Sequence, residues 1–155
     1  MNADDVRIVP AGSEHLPEVV VIDHLTLGSK SAEQVYRDEL EREFSRLDLL
    51  ILDESVIGFV NYWLVSDEVH LLSLATHPDH QRCGYGLRLM QRLLAVASDR
   101  SSRCVTLEVR RSNVAAIALY ERLGFEHVAV RAGYYADDHE DALVMLLATQ
   151  DADSG

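Results

Sequence analysis

The pattern of apolar and polar residues along the chain predicts alternating strands and helices. Val6-Arg7-Ile8-Val9-Pro10 alternates as a strand does. Ser13 and Glu14 then open a helix whose apolar positions Leu16, Val19, Val20 and Leu27 recur at helical spacing, and Gly28 breaks it. Ser31 with Gln34 has the spacing of a capping box and predicts a second helix through Val35, Leu40 and Phe44. Three strands are expected next, over Leu49 to Asp53, Val56 to Val65 and Val69 to Thr76. Asp53-Glu54-Ser55 makes the first turn, and Ser66-Asp67 is short enough for an antiparallel hairpin.

After Pro78 the pattern changes. A loop from His77 to Gly86 feeds a helix with Met90, Leu93, Leu94 and Ala97 on one face and Arg88, Gln91 and Arg92 off it. Val105, Leu107 and Val109 alternate as a strand. Ala115 to Leu123 reads as a helix stopped by Gly124, with Phe125 placed to pack back on its last turn. Val128 to Ala132 and Ala142 to Leu147 are the final strands, separated by Gly133 to Asp141, and residues 148–155 form a polar tail expected to be flexible. With no repeat, linker or low-complexity tract, residues 1–155 read as a single α/β (α+β) domain, mostly antiparallel, with helices inserted between strands.

Composition narrows the function classes. Fourteen basic against twenty-six acidic residues give a net charge of −12, which disfavours nucleic acid and anionic membrane and favours cationic partners, or is simply a solubility bias. The start Met1-Asn2-Ala3-Asp4-Asp5 has no signal-peptide character, and no apolar run approaches membrane-spanning length. Cys83 and Cys104 sit in no metal-ligand or redox spacing. A cytoplasmic protein with reduced thiols is expected. His77 and His80 lie three apart near Asp79 without a third ligand, so no metal site is expected.

The most informative segment is Gln81-Arg82-Cys83-Gly84-Tyr85-Gly86, between a buried strand and an amphipathic helix. Two glycines allow close backbone approach to a ligand, and the helix start offers N–H groups to an anion, with Arg82 and Arg88 adding charge. Alone, the pattern could equally be a structural turn. A dinucleotide fingerprint would need a small residue at Leu89, and a nucleoside-triphosphate loop would need Gly-Lys-Ser/Thr; neither is present.

Gln-x-x-Gly-x-Gly, preceded by Leu74-Ala75-Thr76 and His77-Pro78, resembles the acetyl-coenzyme A loop of the GCN5-related N-acetyltransferase (GNAT) superfamily. The run from Glu108 through Asn113 and Tyr120 to Gly124-Phe125 is similar to that superfamily's late strand, helix and turn. With Arg131, Tyr134-Tyr135 and Glu140-Asp141-Ala142 it resembles the RimI-type ribosomal-protein alanine N-acetyltransferases. Thr76, where an acidic or apolar residue is common, and Ala136, where proline often follows the tyrosine pair, depart from that pattern.

The resemblance implies a GNAT-like fold, with a central sheet of about seven strands and about four helices on both faces, and acetyl-coenzyme A as cosubstrate. The backbone of Leu74, Ala75 and Thr76 would take the acetyl carbonyl and pantetheine arm. Backbone N–H groups of Arg82, Cys83, Gly84, Tyr85, Gly86 and Leu87 would hold the diphosphate. Asn113 would bond the pantetheine, or only cap its helix.

Glu108 would be the general base, its bland alternative being a solvated strand face. Tyr120 would be the general acid, or only a core contact. Cys83 reads as an inert thiol. Tyr134, Tyr135, Asp137 and Asp138 would meet the acceptor, and the run Asp137 to Asp141 would steer a cationic peptide or be only a solvated loop. The acceptor expected first is a protein N-terminal α-amine, the alanine terminus of a ribosomal small-subunit protein being the leading candidate. A lysine or polyamine acceptor, or a regulatory module that binds acetyl-coenzyme A without turnover, remains open.

Overall fold

The computed structural model describes residues 5–149. In chain order the elements are β1 (Val6–Pro10), a 3-10 turn (Ser13–His15), α1 (Leu16–Thr26), α2 (Ala32–Glu41), β2 (Ser45–Leu52), β3 (Ser55–Val65) and β4 (Glu68–Thr76). A second 3-10 turn (Pro78–His80), α3 (Tyr85–Asp99), β5 (Cys104–Arg110), α4 (Val114–Arg122), β6 (Glu126–Arg131) and β7 (Ala142–Ala148) follow. The strands form one seven-stranded mixed sheet in the order β1-β2-β3-β4-β5-β7-β6. A parallel ladder joins Glu68–Leu71 of β4 to Cys104–Leu107 of β5. Parallel neighbours need a long crossover, which α3 supplies. β7 pairs antiparallel with both β5 and β6.

The chain divides into two compact units, Met1–Leu64 with Leu72–Ala95, and Val65–Leu71 with Val96–Gly155. In the first, the core joins Leu16, Val19 and Ile22 of α1, Tyr36 of α2, Leu47, Leu49 and Ile51 of β2, Val56 and Phe59 of β3, and Ala75 of β4. Leu89, Met90 and Leu93 of α3 are fully buried. Gly28, with φ +65°, ends α1 as its sequence suggests. Space is also tight at Gly58, where a Cβ would lie 3.0 Å from the Ala75 carbonyl oxygen and 3.3 Å from Leu89. The bare backbone lets β3 approach the end of β4.

Three sequence expectations about α2 are corrected. The inward face of α2 carries Tyr36 and Glu39, while Val35 is 41% exposed; the Tyr36 ring packs edge-on against Phe59 at 5.3 Å and its hydroxyl donates to the buried Asp23 at 2.5 Å. Ser31 is left-handed (φ +56°) and makes no side-chain cap, and Gln34 instead donates to Asp38, so no capping box forms. Phe44 lies outside α2, which ends where Arg42 turns extended, and its ring packs edge-on against Trp63 at 5.1 Å.

For the same reason β2 starts at Ser45 rather than Leu49. Its first residues belong to a buried polar network: Ser45 and Trp63 donate to Glu39 at 2.9 and 2.6 Å, Arg42 pairs with Glu39, and Asn61 donates to Ser45 at 3.1 Å. Asp48 is likewise buried, accepting from Tyr62 at 2.6 Å and from Arg92 of α3 at 3.3 Å. Buried polar groups with partners are inexpensive to keep, but they interrupt the hydrophobic pattern from which the element was read.

In the second unit Val69, Leu71, Val105, Leu107, Val109, Tyr120, Phe125, Ala142 and Met145 are buried. Asn113 caps α4, its side-chain oxygen accepting from the Ala116 N–H at 3.2 Å. Gly124 closes the helix at φ +100°, and the Phe125 N–H returns to the Tyr120 carbonyl at 3.0 Å. β6 starts at Glu126 rather than Val128, and its register with β7 shifts between His127 and Ala129. As a sheet edge it exposes Val128 and Val130, so burial did not mark its bounds. The tail begins later than expected: Ala148 pairs with Cys104, and the Thr149 N–H donates to the Arg103 carbonyl at 3.0 Å. The rest of the expected tail, residues 150–155, and the chain start, residues 1–4, lie outside the described residues. Among the described residues no helix is long and apolar enough to cross a membrane.

Candidate active site

In the first unit the end of β4 leads into the glycine loop. The His77 N–H donates to the Ile57 carbonyl at 2.8 Å, and the Gln81 side chain donates to the Thr76 carbonyl at 3.1 Å, fixing Leu74, Ala75 and Thr76 relative to the turn that follows. Gln81, Arg82, Cys83 and Gly84 are exposed. Arg82 and Gly84 are left-handed, at φ +65° and +80°, and a Cβ on Gly84 would meet nothing within 4 Å. Gly86 is helical, in the first turn of α3.

The first bond closing α3 runs from the Arg88 N–H to the Gly84 carbonyl at 3.2 Å. The N–H groups of Tyr85, Gly86 and Leu87 therefore fall where a helix has no internal acceptor for them. An open, left-handed turn before a fifteen-residue helix suits a diphosphate, which needs N–H donors and close backbone approach. The loop's other groups serve the turn itself. Cys83 Sγ approaches the Gln81 carbonyl at 3.6 Å, and the His77 ring accepts from the Asp79 N–H at 3.1 Å. Among the described residues no three His, Cys, Asp or Glu side chains are grouped to hold a metal ion.

In the second unit β5 presents Glu108 outward between the buried Leu107 and Val109. Arg131 Nε lies 3.5 Å from Glu108 Oε1, and the Arg131 guanidinium lies 5.9 Å from the centre of the Tyr134 ring. Tyr120 is 5% exposed, its ring 5.8 Å from Phe125. Burial, with the neighbouring Tyr135 adding to it, raises the Tyr120 hydroxyl well above the ordinary tyrosine value. Tyr120 therefore keeps its proton at neutral pH, and it can donate there but not act as a base.

The loop between β6 and β7 carries Tyr134 and Tyr135, whose rings meet edge-on at 5.1 Å. Burial is the largest influence raising the Tyr135 hydroxyl, with Arg110 opposing it. The loop is held by Arg110, at the end of β5. Its Nη2 donates to Asp137 at 3.0 and 3.1 Å, and its Nη1 to Asp138 at 3.1 and 3.2 Å and to Glu140 at 3.4 Å. The hydrogen bonds from Arg110 hold the Asp137 carboxyl below its usual range, and Ser112, through its side chain first and its N–H at 2.6 Å after it, does most to lower Glu140. Lowered carboxylates make the clamp complete at neutral pH, and it is lost only as pH falls through their depressed values.

Asp137 and Asp138 thus face an internal arginine rather than solvent alone. Sequence reasoning missed Arg110, although two signals were present: it follows Glu108 by two residues, the period of one strand face, and three carboxylates cluster downstream at Asp137, Asp138 and Glu140.

Comparison with known proteins identifies the family. Residues 19–125 match the acetyltransferase (GNAT) family. The [ribosomal protein bS18]-alanine N-acetyltransferase of Salmonella typhimurium is 43% identical over 100 residues, 63% of this chain and 68% of that protein. The enzyme of the same name from Escherichia coli K12 is 45% identical over 86 residues, 54% of this chain and 58% of its own length. The crystal structure of the ribosomal-protein-S18-alanine N-acetyltransferase from Escherichia coli superposes with a TM-score of 0.87 at 32% identity, covering 95% of this chain and 96% of that one. The chain belongs to the GNAT acetyltransferase family and is an N-acetyltransferase.

Proposed function

We propose that this protein transfers the acetyl group of acetyl-coenzyme A to the α-amine of a protein N-terminus, with the alanine terminus of a ribosomal small-subunit protein as first candidate, in the cytoplasm. The observation that carries the reading is the pair of proton-handling groups in the second unit: a solvent-facing carboxylate, Glu108, and a buried tyrosine, Tyr120, that retains its proton at neutral pH. The names of the relatives support the choice of acceptor.

Acetyl-coenzyme A supplies the acetyl group as a thioester. The backbone of Leu74, Ala75 and Thr76 binds its acetyl carbonyl and pantetheine arm, and the N–H groups from Arg82 to Leu87 hold the diphosphate. Asn113 uses its side-chain oxygen for the helix cap, and its amide nitrogen donates to the pantetheine. Glu108 accepts the proton of the incoming ammonium, directly or through a water. The neutral nitrogen then attacks the acetyl carbon to form the N–C bond. As the C–S bond breaks, Tyr120 gives its proton to the departing sulfur, and the second proton shed by the nitrogen restores the Tyr120 hydroxyl. Tyr134 and Tyr135 flank the acceptor; Asp137 and Asp138, held by Arg110, keep a negative field that favours a cationic terminus.

An α-amine suits this base. Its pKa is near ~8 against ~10.4 for lysine, so exposing the neutral amine at neutral pH costs about 3 kcal/mol less. Offered peptides with free and with blocked alanine termini, each carrying an internal lysine, the enzyme should acetylate the free terminus only, as located by mass spectrometry. Acetyl groups confined to lysine would overturn the reading.

The loop assignment has its own test. Gly84 is left-handed, a conformation that costs a residue with a Cβ about 1–2 kcal/mol. In Gly84→Ala the loop relaxes away from that conformation, and binding must restore it. Calorimetry should show acetyl-coenzyme A bound about 5- to 30-fold more weakly, with the thermal unfolding midpoint little changed. Unchanged affinity would place the diphosphate elsewhere.

A further inference from the structure

We propose that Arg110 is a positioning residue of the acceptor site: it fixes the loop from Gly133 to Asp141, and with it Tyr134 and Tyr135, against the strand end that carries Glu108. The inference rests on the acceptor reading above and extends it to a residue that touches no reacting atom.

The guanidinium makes five contacts of 3.0–3.4 Å to three carboxylates of the loop. It also lies 3.9 Å from the centre of the Tyr135 ring, close enough to stack on it. A planar fork can satisfy two carboxylates and an aromatic face at once, which an ammonium cannot. The side chain is 31% exposed, so these bonds are partly shielded from water.

The rest of the loop is tied in the same direction. Glu140 accepts from the Ser112 N–H at 2.6 Å, Asp141 accepts from the Gly133 N–H at 3.0 Å, and Arg111 donates to the Asp141 carbonyl at 3.1 Å. Within the loop, the His139 N–H donates to the Tyr135 carbonyl at 2.7 Å and the Tyr135 N–H to the Glu140 carbonyl at 3.2 Å. Every one of these bonds either closes the loop on itself or joins it to the end of β5.

Position explains why the clamp matters for the reaction. Arg110 and Glu108 alternate on the same face of β5. Tyr135, stacked on Arg110, is also an electrostatic neighbour of both Glu108 and Tyr120. Arg131, on β6, joins Glu108 to Tyr134. A loop released from Arg110 would lose the fixed distance between the two tyrosines and the base. The three carboxylates, no longer neutralised in part, would repel one another and move apart.

The test compares Arg110→Gln and Arg110→Lys with the parent enzyme by three measurements. These are hydrogen exchange of the loop amides, calorimetry with acetyl-coenzyme A, and steady-state kinetics on a peptide with a free alanine terminus. In Arg110→Gln the amides of Tyr135 and His139 should exchange about tenfold faster or more, and the peptide KM should rise about tenfold, because charge-assisted bidentate bonds are lost. Affinity for acetyl-coenzyme A should stay within about twofold, since the clamp touches no group assigned to it. Arg110→Lys should recover charge but not geometry, and so restore the KM only in part.

Should Arg110→Gln fold poorly, Asp137→Asn with Asp138→Asn opens the clamp from its other side and should give the same loosened loop and raised KM. Unchanged exchange in the loop overturns the inference. So does a loosened loop with the peptide KM and kcat both unaltered, or full recovery by lysine. If the parent enzyme modifies only lysine, the α-amine reading falls by itself; loop exchange and the KM for the lysine peptide then decide the role of Arg110.

Discussion

Replacing Tyr120 by phenylalanine is expected to cut turnover by about 10²- to 10⁴-fold, the usual scale for a positioned acid or base. The substitution removes one oxygen and keeps the ring, so the contact with Phe125 and the burial of the helix face survive. Stability should change little, because the side-chain volume is retained. Coenzyme affinity should persist, since the hydroxyl is assigned to the departing sulfur and not to ground-state binding.

The Tyr120 shift excludes a base at neutral pH and leaves the hydroxyl its proton, as an acid requires. Burial disfavours the phenolate, and the proton stays on the oxygen throughout the neutral range. The same burial makes the hydroxyl a reluctant donor in the ground state, so it acts only once negative charge has developed on its acceptor. Single-turnover kinetics would isolate the chemical step. If that step keeps its parental rate in Tyr120→Phe, the residue serves packing alone.

The legibility of this fold varied with how each element is stabilised. Val105, Leu107 and Val109 alternate, face inward and are buried, so β5 was readable from its period. The end of α4 was readable because Gly124 and Phe125 solve a local problem, the closing of a helix, with residues adjacent in sequence. The face of α2 and the start of β2 were not. Tyr36 answers to Asp23, and Ser45 to Glu39 and Asn61, and these partners lie six to sixteen residues away.

The site divides in the same way. Gly84 announces itself because a left-handed turn demands a residue type, and Asn113 because a helix start does. Arg110 does not, because its meaning depends on carboxylates 27 to 30 residues downstream. Its place on the Glu108 face sets it apart from Arg111, but nothing local says which partners it holds.

Replacing Glu108 by glutamine should remove the base while keeping its shape, and the rate at neutral pH should fall by about 10² or more. The exposed position of Glu108 and the surface character of its 3.5 Å pair with Arg131 mean that little stability rests on the carboxylate. The variant's pH profile then carries information about the substrate. Without a base, only the fraction of acceptor already neutral in solution can react. That fraction rises with pH and levels off at the amine's own pKa, near ~8 for a peptide terminus and near ~10.4 for a lysine or polyamine.

The parent enzyme should therefore be active well below pH 8, and Glu108→Gln should recover towards it as pH passes about 8 on a terminal amine. Recovery only above about pH 10 would mark a side-chain amine as the acceptor. The measurement is a pair of pH–rate profiles, parent and variant, on one peptide with a free alanine terminus and an internal lysine, with the acetylated atom located by mass spectrometry at each pH. A variant as fast as the parent from pH 6 to about 8 would remove Glu108 from the proton transfer. Its pair with Arg131 would then be read as a solvated contact on an exposed strand face.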